Sequence, residues 1–165
     1  MAPIVWVLDT SSLIAIKSTV PRVNRERLFE AMTTLAHSAE LCFPREVLAE
    51  LRRNLEDKRQ PDPPSQWAIS VEAEACSVAP TFDDVKAVLA MVPDVLDPDK
   101  ESGVDEADPY VLALAVKLRA EGYDARVVTQ EARDAPKKLS LNTACGMLGV
   151  PSVPLGGFLR ALDRK

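Results

Sequence analysis

Four acidic residues occupy positions where carboxylates could gather around a metal ion. Asp9 and Glu131 each follow a short apolar run, Glu50 lies in a helical stretch, and Asp108 begins the most apolar helical stretch of the chain. Hard divalent cations such as Mg²⁺ take oxygen ligands, usually one or two carboxylates together with waters and substrate phosphates. Such an ion lowers the pKa of a bound water and neutralises charge on a leaving oxygen. The four acids therefore predict metal-assisted hydrolysis of a phosphodiester.

Each of these acids also has an ordinary structural interpretation. Asp9 could cap the helix that follows it, because a carboxylate accepts hydrogen bonds from the free N–H groups of a first helical turn. Asp108 could interact with the positive end of a helix dipole. Glu50 could be a surface glutamate, and Glu46 is an equally reachable candidate on the same helix. The combination of acids, and not any one of them, predicts a metal site.

Short apolar runs alternate with helical patterns along the chain. The runs predict strands at 4–8, 41–43, 125–128 and 150–153, and the apolar spacing predicts helices at 24–37, 45–57, 110–118 and 142–148. Strands alternating with helices indicate an α/β fold with three α/β/α layers around a central parallel sheet, for which we expect four to five strands. In such sheets ligands bind outside the carboxyl ends of the strands. Asp9 and Glu131 lie at two of these ends.

The middle of the chain departs from this alternation. Three prolines in 58–65 predict a loop, helical patterns at 66–76 and 82–92 predict a helical insert over about 66–92, and residues 93–105 predict a second loop. Pro151 makes the last strand an edge strand, because proline cannot donate to a neighbouring strand. The length of 165 residues suits one core, so we expect a single domain over 1–165.

Composition narrows the possible functions. The three cysteines, Cys42, Cys76 and Cys145, are widely separated and show no CxxC spacing, so neither a disulfide framework nor a zinc site is indicated. His37 is the single histidine, which gives no support to a Ser-His-Asp triad. The apolar run near the N-terminus is too short to cross a membrane and lacks the features of a signal peptide. We therefore expect a cytoplasmic protein without a membrane partner.

The net charge of −5 argues at first against a nucleic-acid partner, because phosphate binding normally requires a basic surface. Acids concentrated in a metal site would account for the negative sign. Two groups of basic residues remain available for contact with phosphates. They are Arg45, Arg52, Arg53, Lys58 and Arg59 in the first group, and Arg126, Arg133, Lys137 and Lys138 in the second. Either group could equally be a solvated surface.

The ordered set of acidic motifs resembles PIN domains over nearly the whole chain. VLDTSSLI contains Asp9, FPREVLAEL contains Glu50, ADPYVLALA contains Asp108, and VVTQE contains Glu131 where the family commonly has aspartate. The ending NTACGMLGVPSV is similar to a less-studied PIN branch. The resemblance implies a parallel-sheet nuclease fold, dependence on Mg²⁺ or Mn²⁺, and cleavage of RNA. It also implies a toxin of a toxin-antitoxin pair, with a small antitoxin protein as partner, and a homodimer.

The same resemblance implies a role for each site residue. Asp9 and Asp108 are the expected principal metal ligands, with Glu50 completing or bridging the site. Glu131 and Asp105 are expected as outer or second-metal ligands, and all the acids except Asp105 are counted as catalytic. The hydroxyl of Thr10 or Ser11 is expected to hydrogen-bond a ligand carboxylate or a phosphate. The basic residues near Arg52 and Lys137 are expected to contact the RNA backbone.

Two other functions remain open. One is a catalytically silent PIN scaffold that binds RNA or protein. The other is a phosphoacceptor domain in which Asp9 is a covalent nucleophile. A haloacid-dehalogenase relative needs a second aspartate two residues further on, where this sequence has Ser11. A receiver domain needs a pair of acids that is not evident here.

Overall fold

A parallel sheet lies at the centre of the fold. The computed structural model describes residues 1–58, 62–99 and 106–164, with the backbone alone described at 54–58. Four strands, β1 (Ile4–Leu8), β2 (Leu41–Cys42), β3 (Asp124–Val128) and β4 (Ser152–Val153), form one sheet in the order β2-β1-β3-β4. All three neighbouring pairs are parallel. The predicted α/β fold with a parallel sheet flanked by helices is confirmed.

The two central strands explain why the apolar runs are continuous. β1 pairs with β3 over its full length, from Ile4 beside Asp124 to Leu8 beside Val128. Both strands are covered by other elements, and the side chains of 5–8 are buried on both faces of the sheet. A strand buried on both faces needs apolar residues throughout. The chain therefore becomes polar only where the strand ends, at Asp9.

Helices connect the strands and continue after the last one. In the described ranges they are α1 (Thr10–Thr19), α2 (Arg22–His37), α3 (Arg45–Lys58), α4 (Pro63–Ser70), α5 (Glu72–Ala75), α6 (Phe82–Met91), α7 (Ala107–Ala120), α8 (Leu141–Leu148) and α9 (Leu155–Asp163). The helices predicted at 24–37, 45–57, 110–118 and 142–148 agree with α2, α3, α7 and α8 to within a few residues. α7 packs against β1 and β3, which explains why it is apolar nearly all round.

The predicted helical insert contains α4, α5 and α6, and its first part differs from the prediction. α4 begins at Pro63, inside the predicted loop, because proline is tolerated in a first helical turn. Trp67 of α4 stacks on Phe29 at a centroid distance of 6.0 Å, which fixes the insert against α2. The rest of that loop, 59–61, lies outside the described residues. Of the second predicted loop, Pro93–Val95 form a short 3-10 helix, and 100–105 also lie outside.

The last helix, α9, was not predicted. Gly156 and Gly157 lie in its first turn, and glycine disfavours a helix by about 1 kcal/mol relative to alanine. Packing outweighs this cost, because Leu155 and Phe158 are buried and the Phe158 ring meets Trp6 edge to face at 5.2 Å. The edge position predicted for the last strand is confirmed, since β4 lies at the end of the sheet.

Every helix in the described ranges is too short or too polar to reach across a membrane.

Candidate metal centre

Asp9 lies at the junction between β1 and α1 and has two structural tasks at once. Its Oδ1 accepts the backbone N–H of Ser12 at 2.8 Å, so Asp9 is the N-cap of α1. The Ser12 hydroxyl donates to the Asp9 carbonyl oxygen at 2.8 Å and fixes the same turn. Asp9 is almost fully buried, with 1% of its surface exposed. The capping interpretation of Asp9 is therefore correct, and it leaves Oδ2 for other contacts.

Two hydroxyls hold the second oxygen of Asp9. Ser11 Oγ and Thr129 Oγ1 each donate to Asp9 Oδ2 at 2.7 Å. Both hydroxyl oxygens also accept a backbone N–H, from Gln130 in the first case and from Glu131 in the second, each at 3.0 Å. These N–H donors occupy the lone-pair side of each hydroxyl, so its proton is directed to Asp9. The network fixes the Asp9 carboxylate and ties the end of β1 to the segment after β3.

Three acids from remote parts of the chain converge at this point. One carboxylate oxygen from each of Asp9, Asp108 and Glu131 lies within 4.8 Å of the others, and we refer to these residues as the three-acid cluster. Asp9 follows β1, Asp108 lies in the first turn of α7, and Glu131 follows β3. The parallel arrangement of β1 and β3 brings their carboxyl ends to one edge of the sheet, as ligand sites in such sheets require.

A lysine completes the cluster. Lys138 Nζ donates to Asp108 Oδ2 at 2.9 Å and to Glu131 Oε1 at 3.2 Å. Sequence reasoning placed Lys138 in a basic group for RNA and chose its neighbour Lys137, whose side chain is exposed. It also missed Thr129. No sequence spacing identifies either residue, since both reach the cluster only through the folded path of the chain after β3.

Burial controls the ionisation of the cluster. It raises the pKa of Asp9 to about 6, against the opposing hydrogen bonds from Thr129, Ser12 and Ser11. Burial, followed by the negative charge of Asp108, raises the pKa of Glu131 to about 7. The pKa of Asp108 is also raised by burial, although Lys138 opposes this. A bound cation would favour the charged carboxylates and reverse these shifts.

Lys138 responds in the opposite direction. Burial lowers its pKa, but the hydrogen bonds and charges of Asp108 and Glu131 outweigh burial, so that the pKa lies above its ordinary value. Lys138 is therefore a cation at neutral pH. Three carboxylates and one ammonium leave the ionised cluster with a formal charge of −2. One divalent cation would balance that charge, and the donor set of the three acids consists of oxygens.

Glu50 lies beside the cluster and supports it from α3. Its Oε1 accepts the backbone N–H of Ala107 at 2.8 Å, which satisfies a free donor at the start of α7. Its charge contributes to the raised pKa of Asp108, the next residue along α7. Glu50 and Glu46 are both outside the three-acid cluster. The geometry thus gives Glu50 a positioning task, and its predicted role as a metal ligand stays a prediction.

The remaining predicted site residues lie in different settings. Thr10 Oγ1 is buried and has no hydrogen-bond partner among the described residues. Arg52 pairs with Glu72 of α5 at 3.5 Å on the surface. Asp105 and Arg59 lie outside the described residues, as does the side chain of Lys58. Substrate contacts by Thr10, Ser11, Arg52 and Lys137 stay predictions.

The three cysteines are free and buried. Cys145 of α8 lies close enough to the cluster for Asp9 and Asp108 to affect it. Burial first, and then these two charges, raise the pKa of the Cys145 thiol to about 12. The Cys145 thiol is therefore protonated and neutral at neutral pH.

The chain was compared with protein families. The family described as "Domain of unknown function (DUF4411)" matches residues 6–165, which extend from within β1 to beyond the end of α9. The comparison with curated proteins gives no match.

Proposed function

We propose that this chain, which belongs to the DUF4411 family of domains of unknown function, is a metal-dependent nuclease that hydrolyses RNA phosphodiester bonds. The observation that supports the proposal most is the convergence of Asp9, Asp108 and Glu131 within 4.8 Å at the carboxyl edge of a parallel sheet. Buried acids this close together raise one another's pKa unless a cation compensates them. Only part of the compensation comes from Lys138.

In this proposal Asp9, Asp108 and Glu131 hold the metal ion, and other residues hold these acids in place. Ser11, Thr129 and the Ser12 N–H fix the orientation of Asp9. Glu50 fixes the start of α7 and thereby the position of Asp108. When bound, Mg²⁺ or Mn²⁺ would supply an activated water and would neutralise charge on the leaving oxygen.

RNA as the substrate is supported by the sequence resemblance to PIN domains and by the separate basic groups. Arg52 and Lys137 are proposed to contact the RNA backbone, which would give affinity without sequence readout. Arg52 is half-exposed beside Glu72, and Lys137 is exposed, so both can reach a ligand in solvent. A toxin role, a small antitoxin partner, a homodimer, a cytoplasmic location and a single domain over 1–165 belong to the same proposal.

One observation favours a second candidate function, a catalytically silent domain that binds RNA or protein. Lys138 already pairs with two of the three acids at 2.9 and 3.2 Å. A protein that no longer bound metal could keep its acidic cluster in this way. The phosphoacceptor alternative is disfavoured by Asp9 itself. Its two oxygens accept three hydrogen bonds and only 1% of its surface is exposed, whereas a covalent nucleophile needs an oxygen free to attack the phosphorus atom.

The test is incubation of the purified chain with a mixed RNA pool, with Mn²⁺ or with chelator, followed by sequencing of the cut ends. The decisive variant is Asp108→Asn. Asp83→Asn is a matched control, because Asp83 is an exposed acid in the first turn of another helix, α6. We expect metal-dependent cuts from the wild type and from Asp83→Asn and none from Asp108→Asn. RNA binding without cuts in any sample would support the silent domain instead.

A further inference from the structure

Lys138 contacts two of the acids that a metal ion in the three-acid cluster would need as ligands. Its ammonium contacts Asp108 Oδ2 and Glu131 Oε1, two of the three acids that come within 4.8 Å of one another. An ammonium is a compact point charge that can occupy a carboxylate pocket in place of another cation. Lys138 and a divalent ion would therefore compete for the same acids.

The backbone around Lys138 is fixed, although its side chain has room to move. Ala135 and Lys138 exchange two backbone hydrogen bonds of 2.9 and 3.2 Å, which close a tight turn. The next residue, Leu139, donates its N–H to the carbonyl oxygen of Asp94 at 2.7 Å. The Lys138 side chain is 22% exposed. The ammonium can therefore leave the acids towards solvent while the turn stays in place.

We infer that Lys138 is an internal cation of the three-acid cluster, which compensates the acids in the metal-free protein and is exchanged for the divalent ion when the site is loaded. The inference rests on the proposed metal-dependent function. Lys138 is then a positioning residue that holds the acids together without metal. Metal binding must first break its two charge-assisted hydrogen bonds and is weakened by them. Removing the ammonium should therefore strengthen metal binding.

The test is a calorimetric titration of the full chain with Mn²⁺ alone, near neutral pH. The chain is first treated with chelator to remove any bound metal. In Lys138→Met we expect the Kd for Mn²⁺ to fall by about tenfold, since metal binding no longer has to break the charge-assisted hydrogen bonds of the ammonium. Lys138→Gln, which keeps a hydrogen-bond donor and similar length, should change the Kd in the same direction and serves if the methionine variant does not fold. Lys138→Arg keeps the charge and should bind Mn²⁺ no more tightly than the wild type.

Lys86→Met is the matched control, because it removes the same charge from an exposed position on α6, outside the three-acid cluster. Its Kd for Mn²⁺ should equal that of the wild type, which separates local competition from the change in net charge. If Lys138→Met and Lys138→Gln both bind Mn²⁺ with the wild-type affinity or more weakly, the inference is overturned and the nuclease proposal stands. Absence of Mn²⁺ binding in the wild type and in every variant would overturn the nuclease proposal itself.

Discussion

The two ends of the β1–β3 pair carry acidic side chains in opposite electrostatic settings. At the amino end, Asp124 accepts hydrogen bonds from the guanidinium groups of Arg119 at 3.2 Å and Arg126 at 2.7 Å. The hydrogen bond from Arg126 is the largest of the effects that hold the pKa of Asp124 below its ordinary value. At the carboxyl end, Asp9 is buried, Asp108 and Glu131 are half-buried, and one ammonium contacts only the latter two. The pKa of each of these acids is raised.

The difference between these ends distinguishes a structural acid from a candidate functional one. Two cations for one carboxylate fully compensate Asp124, so its charge needs no further ligand. One cation for three carboxylates leaves a deficit that only an added cation or protons can remove. Perturbed acids in one place are candidates for function for this physical reason. If the uncompensated negative charge of the cluster marks a metal site, variants at the two ends should behave differently.

The largest effect is expected on RNA cleavage. Asp9→Asn removes a proposed metal ligand and should lower the metal-dependent rate by at least about 100-fold, the upper end for loss of residues that merely support metal ligands. Asp124→Asn removes an acid of the same type from the other end of β3 and should leave the rate within about twofold, since surface ion pairs contribute little. Initial rates on one RNA at saturating Mn²⁺ provide the measurement. Equal losses in both variants would remove the distinction between the two ends.

The next effect is the stabilisation of the folded state by metal. A ligand at about 100 times its Kd stabilises the native state by ~2.7 kcal/mol, which raises Tm by about 5–10 °C for a domain of this size. We expect such a rise with Mn²⁺ in the wild type and in Asp124→Asn, and a smaller one in Asp9→Asn. Thermal unfolding followed by circular dichroism measures it. A full Mn²⁺ response in Asp9→Asn would mean that the ion binds elsewhere.

The smallest effect concerns the pH dependence of stability without metal. The pKa of Glu131 is raised from 4.5 to about 7, so between these values the unfolded state has released the proton that the folded state still holds. Its contribution to stability therefore falls as pH rises through this window, by about 2 kcal/mol after allowance for solvent screening. The pKa of Asp124 is lowered, so the pH dependence of its contribution to stability has the opposite sign. That contribution is lost as pH falls.

Urea unfolding across this pH range, with chelator present, measures both signs. Glu131→Gln should unfold with a flatter pH dependence between 4.5 and about 7 than the wild type, because the titrating group is gone. Asp124→Asn should leave that window unchanged and should flatten the curve at more acidic pH. If the dependence of stability on pH is unchanged in Glu131→Gln, the Glu131 carboxyl does not titrate in this window. That result would contradict an uncompensated negative charge in the three-acid cluster.

Local patterns in the sequence were sufficient for most of the fold. The continuous apolar run of β1 predicted a strand buried on both faces, and the all-round apolar character of α7 predicted a helix packed against the sheet. These signals are strong because burial acts on every residue of the element. α9 gave no such signal, because Gly156 and Gly157 weaken its helical tendency and the contact between Phe158 and Trp6 joins remote positions.

The sequence was enough to predict which acids could converge, because Asp9 and Glu131 follow apolar strands and parallel strands end at a common edge. The folded chain shows which of the described acids have oxygens within 4.8 Å of one another. It also shows that Glu50 accepts the Ala107 N–H and that Lys138 and Thr129 complete the site. The physical reason is the separation along the chain of the residues that interact. Strand and helix formation depend on neighbours along the chain, whereas hydrogen bonds between Asp9 and Thr129 or between Asp108 and Lys138 form only after the sheet has brought distant segments together.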